Sequence, residues 1–483
     1  MKQGIGTDIF FNVVPADTND RIYGLMDFVA IQITFGIAAW FFLVGSLTGL
    51  AVKASEAIPI VIFGNCFPLL LVAPLAVIFA RYGTEQWQGS AAVLGHRFKD
   101  IWILMYITSS FGWIAYSAFL FGESAIKFVA FFNGPEFLSV EVPGAIIFAF
   151  IATAVGAYVA YLGPNVLRWF TRLSALFLLV VLAWFIWMIL SKYGLGHIYE
   201  MEPKEPLQTL AWSRASAIEW NVGLGFSWAF WYGQWTRLAK TERAAFHGCL
   251  WGWGLLACTA GVFSAFVALV LKTYDPSEWI ITLGSPLVAL VGLVMFAIAN
   301  IGSITCLVYP MSITMRSRFP KLPWVLTVVI CSIGALVLEN PVVFQAYGVY
   351  LAYIALLTGT YGGIMMADYF LVSRGTWAWS LREIYNRQSG YTYWHGFNPA
   401  AVLATLIAAA FYVWTLEPLS WTSPNGLFPY ITAGIPSFFV GFIAYAVLMR
   451  VWVMKTLNPP LQRVEGCGNP ESVPRAAGAT PKI

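Results

Sequence analysis

Residues 173–190 read LSALFLLVVLAWFIWMIL, a run that contains no charged side chain. An α-helix needs about 20 predominantly apolar residues to cross the hydrocarbon core of a bilayer. Similar runs recur along nearly all of the 483 residues, of which 59% are hydrophobic and only 10% are charged. Soluble domains carry about 25% charged residues. The sequence therefore predicts a polytopic integral membrane protein.

The apolar runs are continuous and do not alternate with polar residues, which favours helices over the strands of a membrane barrel. The predicted spans lie near residues 24–51, 57–81, 101–132, 143–162, 167–194, 218–236, 246–272, 280–310, 323–339, 341–372, 398–416 and 427–452. The connecting segments are short. We therefore expect an all-α protein with twelve transmembrane helices in a single membrane domain.

Lysine and arginine are distributed unevenly between the loops that these spans create. Most of them fall on the side that carries both termini, as in the cluster Arg237, Lys240 and Arg243. Positively charged loops remain in the cytoplasm, so we expect a multi-pass protein of the cell membrane with both termini cytoplasmic. Residues 1–23 form the predicted cytoplasmic N-terminal segment and residues 453–483 a disordered tail. The formal net charge of +4 then reflects topology and indicates no nucleic-acid partner.

Polar groups inside a span are expensive in a bilayer and are therefore functional candidates. In the first span, a helix break just beyond Phe28 and Ile31 would free their carbonyl oxygens for a cation. Trp113 and Trp228 lie near the middle of their spans beside small or polar neighbours, where an indole can stack on a planar ligand. Residues 223–228 read GLGFSW, in which small residues make unwinding easy.

Two motifs late in the chain indicate a family. Residues 363–372 read GIMMADYFLV, and residues 390–398 read GYTYWHGFN. This pair closely resembles the nucleobase:cation symporter family one. Residues 233–248, GQWTRLAKTERAAFHG, and residues 27–37, DFVAIQITFGI, resemble two further segments of that family. The resemblance runs from about residue 21 to residue 451.

The resemblance implies a leucine-transporter-like fold, with five helices repeated in inverted orientation and two additional helices. The repeats would be residues 24–194 and 218–372, with the two extra helices in 398–452. It also implies a secondary active symporter that imports a nucleobase or related planar nitrogen heterocycle by alternating access. No cofactor is expected beyond a coupling ion, Na⁺ or H⁺. The oligomeric state stays open, with a monomer plausible in the lipid bilayer.

The resemblance also assigns substrate-contacting residues. Gln32 matches a substrate-binding glutamine, and Trp113 and Trp228 match two stacking tryptophans. Ser227 stands where the family has a ligand-contacting glycine, and Ser117 replaces a glutamine. In the eighth span an expected asparagine has no counterpart, and Thr305 is the nearby polar candidate. The altered edge chemistry argues against hydantoin itself as the substrate.

The implied cation site combines the carbonyls of Phe28 and Ile31 with the Ala299 carbonyl and the Ser303 hydroxyl. Gly302 stands where a second hydroxyl is expected, which weakens the case for sodium. Proton coupling through Asp27 or Glu123 is the alternative. Both acids are also compatible with a structural role, in capping or ion pairing near a membrane face.

Two other classes of function compete with a heterocycle symporter. An amino-acid permease of the same fold would need a small-residue motif in the first span to hold a carboxylate and an amine, whereas this chain has Gln32 and two indoles. A membrane-embedded ligand sensor would usually carry a signalling domain. The four histidines show no metal-ligand or catalytic spacing, so we expect no enzyme activity.

Overall fold

The computed structural model describes residues 14–37, 40–373, 384–386 and 390–457. In these residues the chain is almost entirely helical, and its only β-structure is three isolated bridges. Eight helices of this described part are long and apolar enough to cross a membrane, and a bent pair makes a ninth. The all-α membrane class predicted from the sequence is confirmed.

Helices occur at all twelve predicted positions, although some are short or interrupted. They are α1 (Leu25–Ile37 and Trp40–Ala51), α2 (Ala54–Tyr82), α3 (Phe98–Phe131), α4 (Glu141–Tyr161), α5 (Pro164–Tyr193), α6 (Leu210–Ser227, continued by Trp228–Phe230 and Tyr232–Thr236), α7 (Glu242–Leu271), α8 (Pro286–Arg318), α9 (Trp324–Ile333), α10 (Tyr347–Val372), α11 (Pro399–Thr415) and α12 (Gly434–Thr456).

Several predicted boundaries differ from the structure, and in some spans a separate short helix divides the apolar run. The span predicted at 280–310 is a short helix, Pro276–Leu283, followed by α8. The span predicted at 341–372 likewise begins with a separate turn, Pro341–Gln345. Helix α12 continues to Thr456, so residues 453–456 are helical and not part of a disordered tail. Residues 458–483 of that predicted tail lie outside the described part.

Helix α1 is interrupted, but later than predicted. Its first segment continues past Gln32 to Ile37, and the second begins at Trp40 with a bend of 45°. The carbonyls of Phe28 and Ile31 therefore lie within regular helix, where the N–H groups four residues later are their partners. Gly36, near the end of this segment, packs closely on α7, where an added Cβ would lie 3.0 Å from Ala257.

Helix α6 is also interrupted after the glycines that were expected to unwind it. It is regular to Ser227 and then forms a single 3₁₀ turn, Trp228–Phe230. A Cβ at Gly223 would lie 2.2 Å from the Leu351 carbonyl oxygen, and one at Gly225 would lie 2.6 Å from that of Asn65. These glycines serve close packing on α10 and α2, so they do not cause the break.

The interrupted helices α1 and α6 stand first in the two predicted repeats. This is the arrangement in which a substrate site forms between half-helices near the middle of the membrane. Helices α11 and α12 pack against each other and against α10. The division into residues 24–194, 218–372 and 398–452 stays a prediction.

Candidate substrate and cation sites

The two tryptophans predicted to stack on a substrate lie in one continuous row of aromatic rings. Trp113 of α3 and Trp228 of α6 are 2% and 1% exposed, respectively. Trp113 contacts Trp40 with ring centroids 4.6 Å apart, and Trp40 contacts Phe35 at 4.7 Å. Phe35 in turn contacts Trp228 at 4.8 Å. The row therefore joins α3 to α6 through the two residues that flank the interruption of α1.

Trp113 and Trp228 do not face each other directly in this conformation. The rings of Phe35 and Trp40, one from each segment of α1, lie in the row between them. A ligand sandwiched by Trp113 and Trp228 would have to take the place of one or both of these rings. Because both belong to the interrupted helix, a change at the bend of α1 is the motion that could move them.

Several buried polar atoms at this row have no hydrogen-bond partner. They are Gln32 Oε1, Trp228 Nε1, Trp40 Nε1 and Ser117 Oγ. Leaving such a group unpaired in apolar surroundings costs about 1–3 kcal/mol. The set includes an amide oxygen that accepts and indole N–H groups that donate, which is the mixture that the edge of a nitrogen heterocycle would satisfy.

Gln32 is turned toward α7, which the sequence did not identify as part of the site. Its Nε2 donates to the Cys249 Sγ at 3.2 Å. A Cβ added to Gly252 would lie 2.4 Å from the Gln32 Cβ, and Trp253 lies edge-on to Trp228 at 5.4 Å. Gln32 and Trp228 thus both border the same face of α7.

The hydroxyls of Ser227 and Thr305, the two remaining predicted substrate contacts, both donate to backbone carbonyls in this conformation. The Ser227 hydroxyl donates to the Leu224 carbonyl at 2.6 Å, within its own helix. The Thr305 hydroxyl donates to the carbonyls of Gly156 on α4 and Ile301. Thr305 therefore lies on the face of α8 that packs against α4. This conformation gives no support to Thr305 as a substrate contact.

The predicted cation site corresponds to a junction of α1, α5 and α8. Ser303 of α8 is fully buried, and its Oγ has no hydrogen-bond partner. A Cβ added to the neighbouring Gly302 would lie 2.6 Å from the Ser174 Oγ of α5 and 3.0 Å from the Thr34 Cγ2 of α1. Ser174 Oγ is also buried and unpartnered. Unpaired hydroxyl oxygens beside an interrupted helix fit a monovalent cation such as sodium.

The carbonyls that the sequence assigned to this site are placed less favourably. The carbonyls of Phe28 and Ile31 lie inside the first segment of α1, where they accept hydrogen bonds within the helix. The first segment instead continues to Ile37, and a break beyond that residue would free the carbonyls of its last turn. Ala299 is fully buried one turn before Ser303.

Asp27 pairs with arginines of α5. It is 2% exposed, and its Oδ1 lies 2.9 Å from the Arg168 Nε and 2.7 Å from an Arg172 guanidinium nitrogen. Its Oδ2 accepts the Gly24 N–H at 2.9 Å. Such contacts are those of the capping and ion-pairing alternative, and they stabilise the charged carboxylate.

Glu123 lies in the C-terminal half of α3, in an ion cluster with Lys127 and Asp275. Its Oε2 is 3.2 Å from the Lys127 Nζ, which also contacts Asp275 and Ser277 at the start of the helix Pro276–Leu283. Its Oε1 is buried and unpartnered. Glu123 therefore keeps one oxygen available to a proton, whereas both oxygens of Asp27 are occupied.

Sequence reasoning missed Phe35, Trp40, Cys249 and Ser174. The first two are apolar residues in an apolar span, and no local pattern distinguishes them from packing residues. The sequence did contain a signal for Ser174, because it is a polar residue within the apolar, uncharged run 173–190.

Comparisons with known proteins agree with this architecture. Residues 18–441 match the family described as permeases for cytosine/purines, uracil, thiamine and allantoin. The allantoin permease of Bacillus subtilis (strain 168) is 24% identical over 287 residues, which cover 55% of this chain and 55% of that protein. The chain thus aligns with about half the length of this curated relative.

Solved structures share the fold over almost the whole chain. Mhp1, a nucleobase-cation-symport-1 family transporter in a closed conformation with bromovinylhydantoin bound, superposes with a TM-score of 0.75 at 19% identity, covering 94% of this chain and 97% of that one. A substrate-bound, outward-open Na⁺-coupled sialic acid symporter gives a TM-score of 0.63 at 13% identity, covering 93% of each chain. These superpositions establish a common fold.

Proposed function

Because the chain belongs to the family of permeases for cytosine/purines, uracil, thiamine and allantoin, we propose that it is a cation-coupled symporter for a planar nitrogen heterocycle. It would work in the cell membrane by alternating access, with both termini in the cytoplasm. The relatives in sequence and structure are transporters, in agreement with the expectation that the protein is not an enzyme.

The observation that carries this proposal is the row of aromatic rings with unpaired polar atoms along it. Flat aromatic faces bind a planar ring through its surface. Gln32 Oε1 and Trp228 Nε1, both buried and unpartnered, supply one acceptor and one donor for its edge. A site of this kind is mostly apolar, with a few polar groups that fix the orientation of the ligand.

Phe35 and Trp40 suggest how the site would be controlled. In this conformation their rings complete the row between Trp113 and Trp228. We infer that rearrangement at the bend of α1 withdraws one of them and admits the substrate ring in its place. Substrate binding would then be coupled to the relative position of the two segments of α1, which is a requirement of alternating access.

Sodium is the proposed coupling ion, held by Ser303 and Ala299 of α8 together with the end of the first segment of α1. Bound sodium would add a positive charge that holds α1 and α8 together. Proton coupling is the second candidate, and Glu123, with its unpartnered Oε1, is the more suitable carrier.

The stacking proposal is tested by Trp228→Ala and Trp113→Ala in purified protein reconstituted into liposomes. Loss of one aromatic face should lower the apparent affinity for a labelled heterocycle by about tenfold or more. Trp187→Ala is the matched control, because Trp187 is 65% exposed on the surface of α5. Normal saturable uptake by both Trp113→Ala and Trp228→Ala would refute the site.

Trp228→Phe separates stacking from hydrogen bonding, since it keeps a ring face and removes the N–H donor. We expect it to retain binding of most heterocycles and to weaken those that present an acceptor to this position. A panel of uracil, cytosine, a purine, allantoin and hydantoin would reveal the preferred edge. Hydantoin should bind worse than the preferred compound, because Ser117 replaces the glutamine expected there.

The competing functions give different results in the same preparation. Competition by amino acids, with none by heterocycles, would identify an amino-acid permease. Saturable binding without accumulation against a gradient would identify a sensor. Accumulation of a heterocycle that depends on a sodium gradient at constant pH would support the proposal. Accumulation that depends on the proton gradient alone would identify the proton as the coupling ion, with Glu123 or Asp27 as its carrier.

A further inference from the structure

The side chain of Ser174 on α5 occupies the space that a side chain at position 302 of α8 would enter. An added Cβ at Gly302 would lie only 2.6 Å from the Ser174 Oγ and 3.0 Å from its Cβ. A hydroxyl-bearing residue at 302 would therefore place its oxygen in the region that the Ser174 hydroxyl already fills. The two positions are alternatives for supplying one oxygen to the same junction.

The hydroxyl of Ser174 is not used in packing the helix on which it lies. Many other buried helical serines donate to a carbonyl about one turn earlier, as Ser312 does to Val308 at 2.8 Å and Ser332 does to Val328 at 2.7 Å. Ser174 and the nearby Ser303 are fully buried, yet neither hydroxyl has a partner. Two unpaired hydroxyls at one junction are unfavourable unless a ligand binds them.

The first segment of α1 is attached to this junction by another hydroxyl. The Thr34 Oγ1 donates to the Thr171 carbonyl at 2.9 Å, one turn before Ser174 on α5. Thr34 also approaches Gly302, since its Cγ2 would lie 3.0 Å from an added Cβ there. Three helices, α1, α5 and α8, thus meet where the two serine oxygens are unpaired.

We propose that Ser174 is a ligand of the coupling cation and supplies from α5 the hydroxyl oxygen that Gly302 does not supply from α8. This inference rests on the proposed cation-coupled transport. Sodium takes hydroxyl and carbonyl oxygens at interrupted helices, and the junction offers both. The cation would hold α5 to α1 and α8, so its binding would stabilise the conformation in which the three helices are in contact.

Sodium binding to purified full-length protein provides a test that does not depend on transport. The melting temperature and the binding of ²²Na⁺ are measured against NaCl, with choline chloride keeping the ionic strength constant. Wild type should show a saturable increase in melting temperature. Ser174→Ala should raise the half-saturating sodium concentration by about tenfold or more, and Ser312→Ala, with its intrahelical bond, should leave it unchanged.

An exchange of the two positions separates a ligand from a packing residue. Ser174→Gly combined with Gly302→Ser returns one hydroxyl to the junction, and Ser174→Gly combined with Gly302→Ala returns only a methyl group. We expect the first double variant to bind sodium at least about tenfold more tightly than the second. Equal half-saturation in these two, or in Ser174→Ala and wild type, would overturn the proposal.

Heterocycle binding to the same preparations, followed by quenching of tryptophan fluorescence, distinguishes the two levels of inference. If the wild type binds a heterocycle but does not respond to sodium, the proposed role of Ser174 as a sodium ligand is refuted and the proposed heterocycle transport is not. Failure of the wild type to bind any heterocycle, with sodium binding retained, would overturn the proposed substrate class and support the cation site.

Discussion

Glu219 is expected to be a principal attachment between α6 and the last two helices, α11 and α12. It lies in α6 and is fully buried. Its Oε1 accepts the Tyr412 hydroxyl of α11 at 2.8 Å, and its Oε2 accepts the N–H groups of Ala433 and Gly434 at 2.9 and 3.1 Å. One carboxylate therefore bonds α11 and also caps the start of α12.

The cost of Glu219→Ala follows from the donors that it leaves. Two buried backbone N–H groups at the first turn of α12 lose their acceptor, at about 1–3 kcal/mol each. The Tyr412 hydroxyl keeps the Ala352 carbonyl at 2.8 Å as an acceptor, so it adds little. The expected loss is about 2–6 kcal/mol, or roughly 4–12 °C in melting temperature at about 2 °C per kcal/mol.

The assay is thermal unfolding in detergent, followed by intrinsic fluorescence or by size-exclusion chromatography after heating. Glu417→Ala is the matched control, because Glu417 also accepts two backbone N–H groups, from Leu419 and Ser420, but in an exposed loop. Water can replace that acceptor, so its melting temperature should not change. A Glu219→Ala protein as stable as the Glu417→Ala control would refute the reasoning.

Three further changes test other parts of the structure. Asp27→Asn removes the charge that pairs α1 with two arginines of α5, and it should speed the reaction of thiol reagents with a cysteine placed at the N-terminal end of α1. Loss of proton-driven uptake with counterflow retained would instead make Asp27 the proton carrier. Burial raises the pKa of Glu85, in the connection between α2 and α3, above its ordinary value of 4.5, so the folded protein carries a desolvated carboxylate at high pH. Glu85→Gln should therefore raise the melting temperature at pH 8 and lose this gain as the pH falls toward 4.5, and a gain independent of pH would contradict the assignment. Gly223→Ala brings a methyl group against the Leu351 carbonyl and should cost about 1–3 kcal/mol, whereas Gly196→Ala, with nothing within 4 Å of the added Cβ, should melt like wild type.

The fold was largely predictable because a bilayer permits few solutions. Each apolar run had to become a helix, and helices occur at all twelve predicted positions. The motifs at residues 363–372 and 390–398 indicated the family that the match over residues 18–441 confirms. Boundaries were less accurate, since prolines and capping residues such as Ser285 divide runs that hydropathy alone joins.

The positions of the helix breaks were predicted less well. Glycines in α6 suggested unwinding near Gly223 and Gly225, but these residues lie against backbone of α10 and α2, and the break begins at Trp228. In α1 the break follows Ile37 and not Ile31. A glycine permits both unwinding and close packing, and only the neighbouring helix decides which one occurs.

The sequence by itself determined the membrane class, the helix positions and the family, because these depend on composition along the chain and on local motifs. The substrate contacts of Trp113 and Trp228 stay a prediction. Only the tertiary structure decided that Phe35 and Trp40 lie between those tryptophans, that Asp27 pairs with arginines, and that Ser174 faces Gly302. Each of these is a contact between helices distant in the chain. Such contacts depend on how the helices are rotated and how closely they approach, and apolar side chains that are suitable for lipid and for protein alike leave both undetermined.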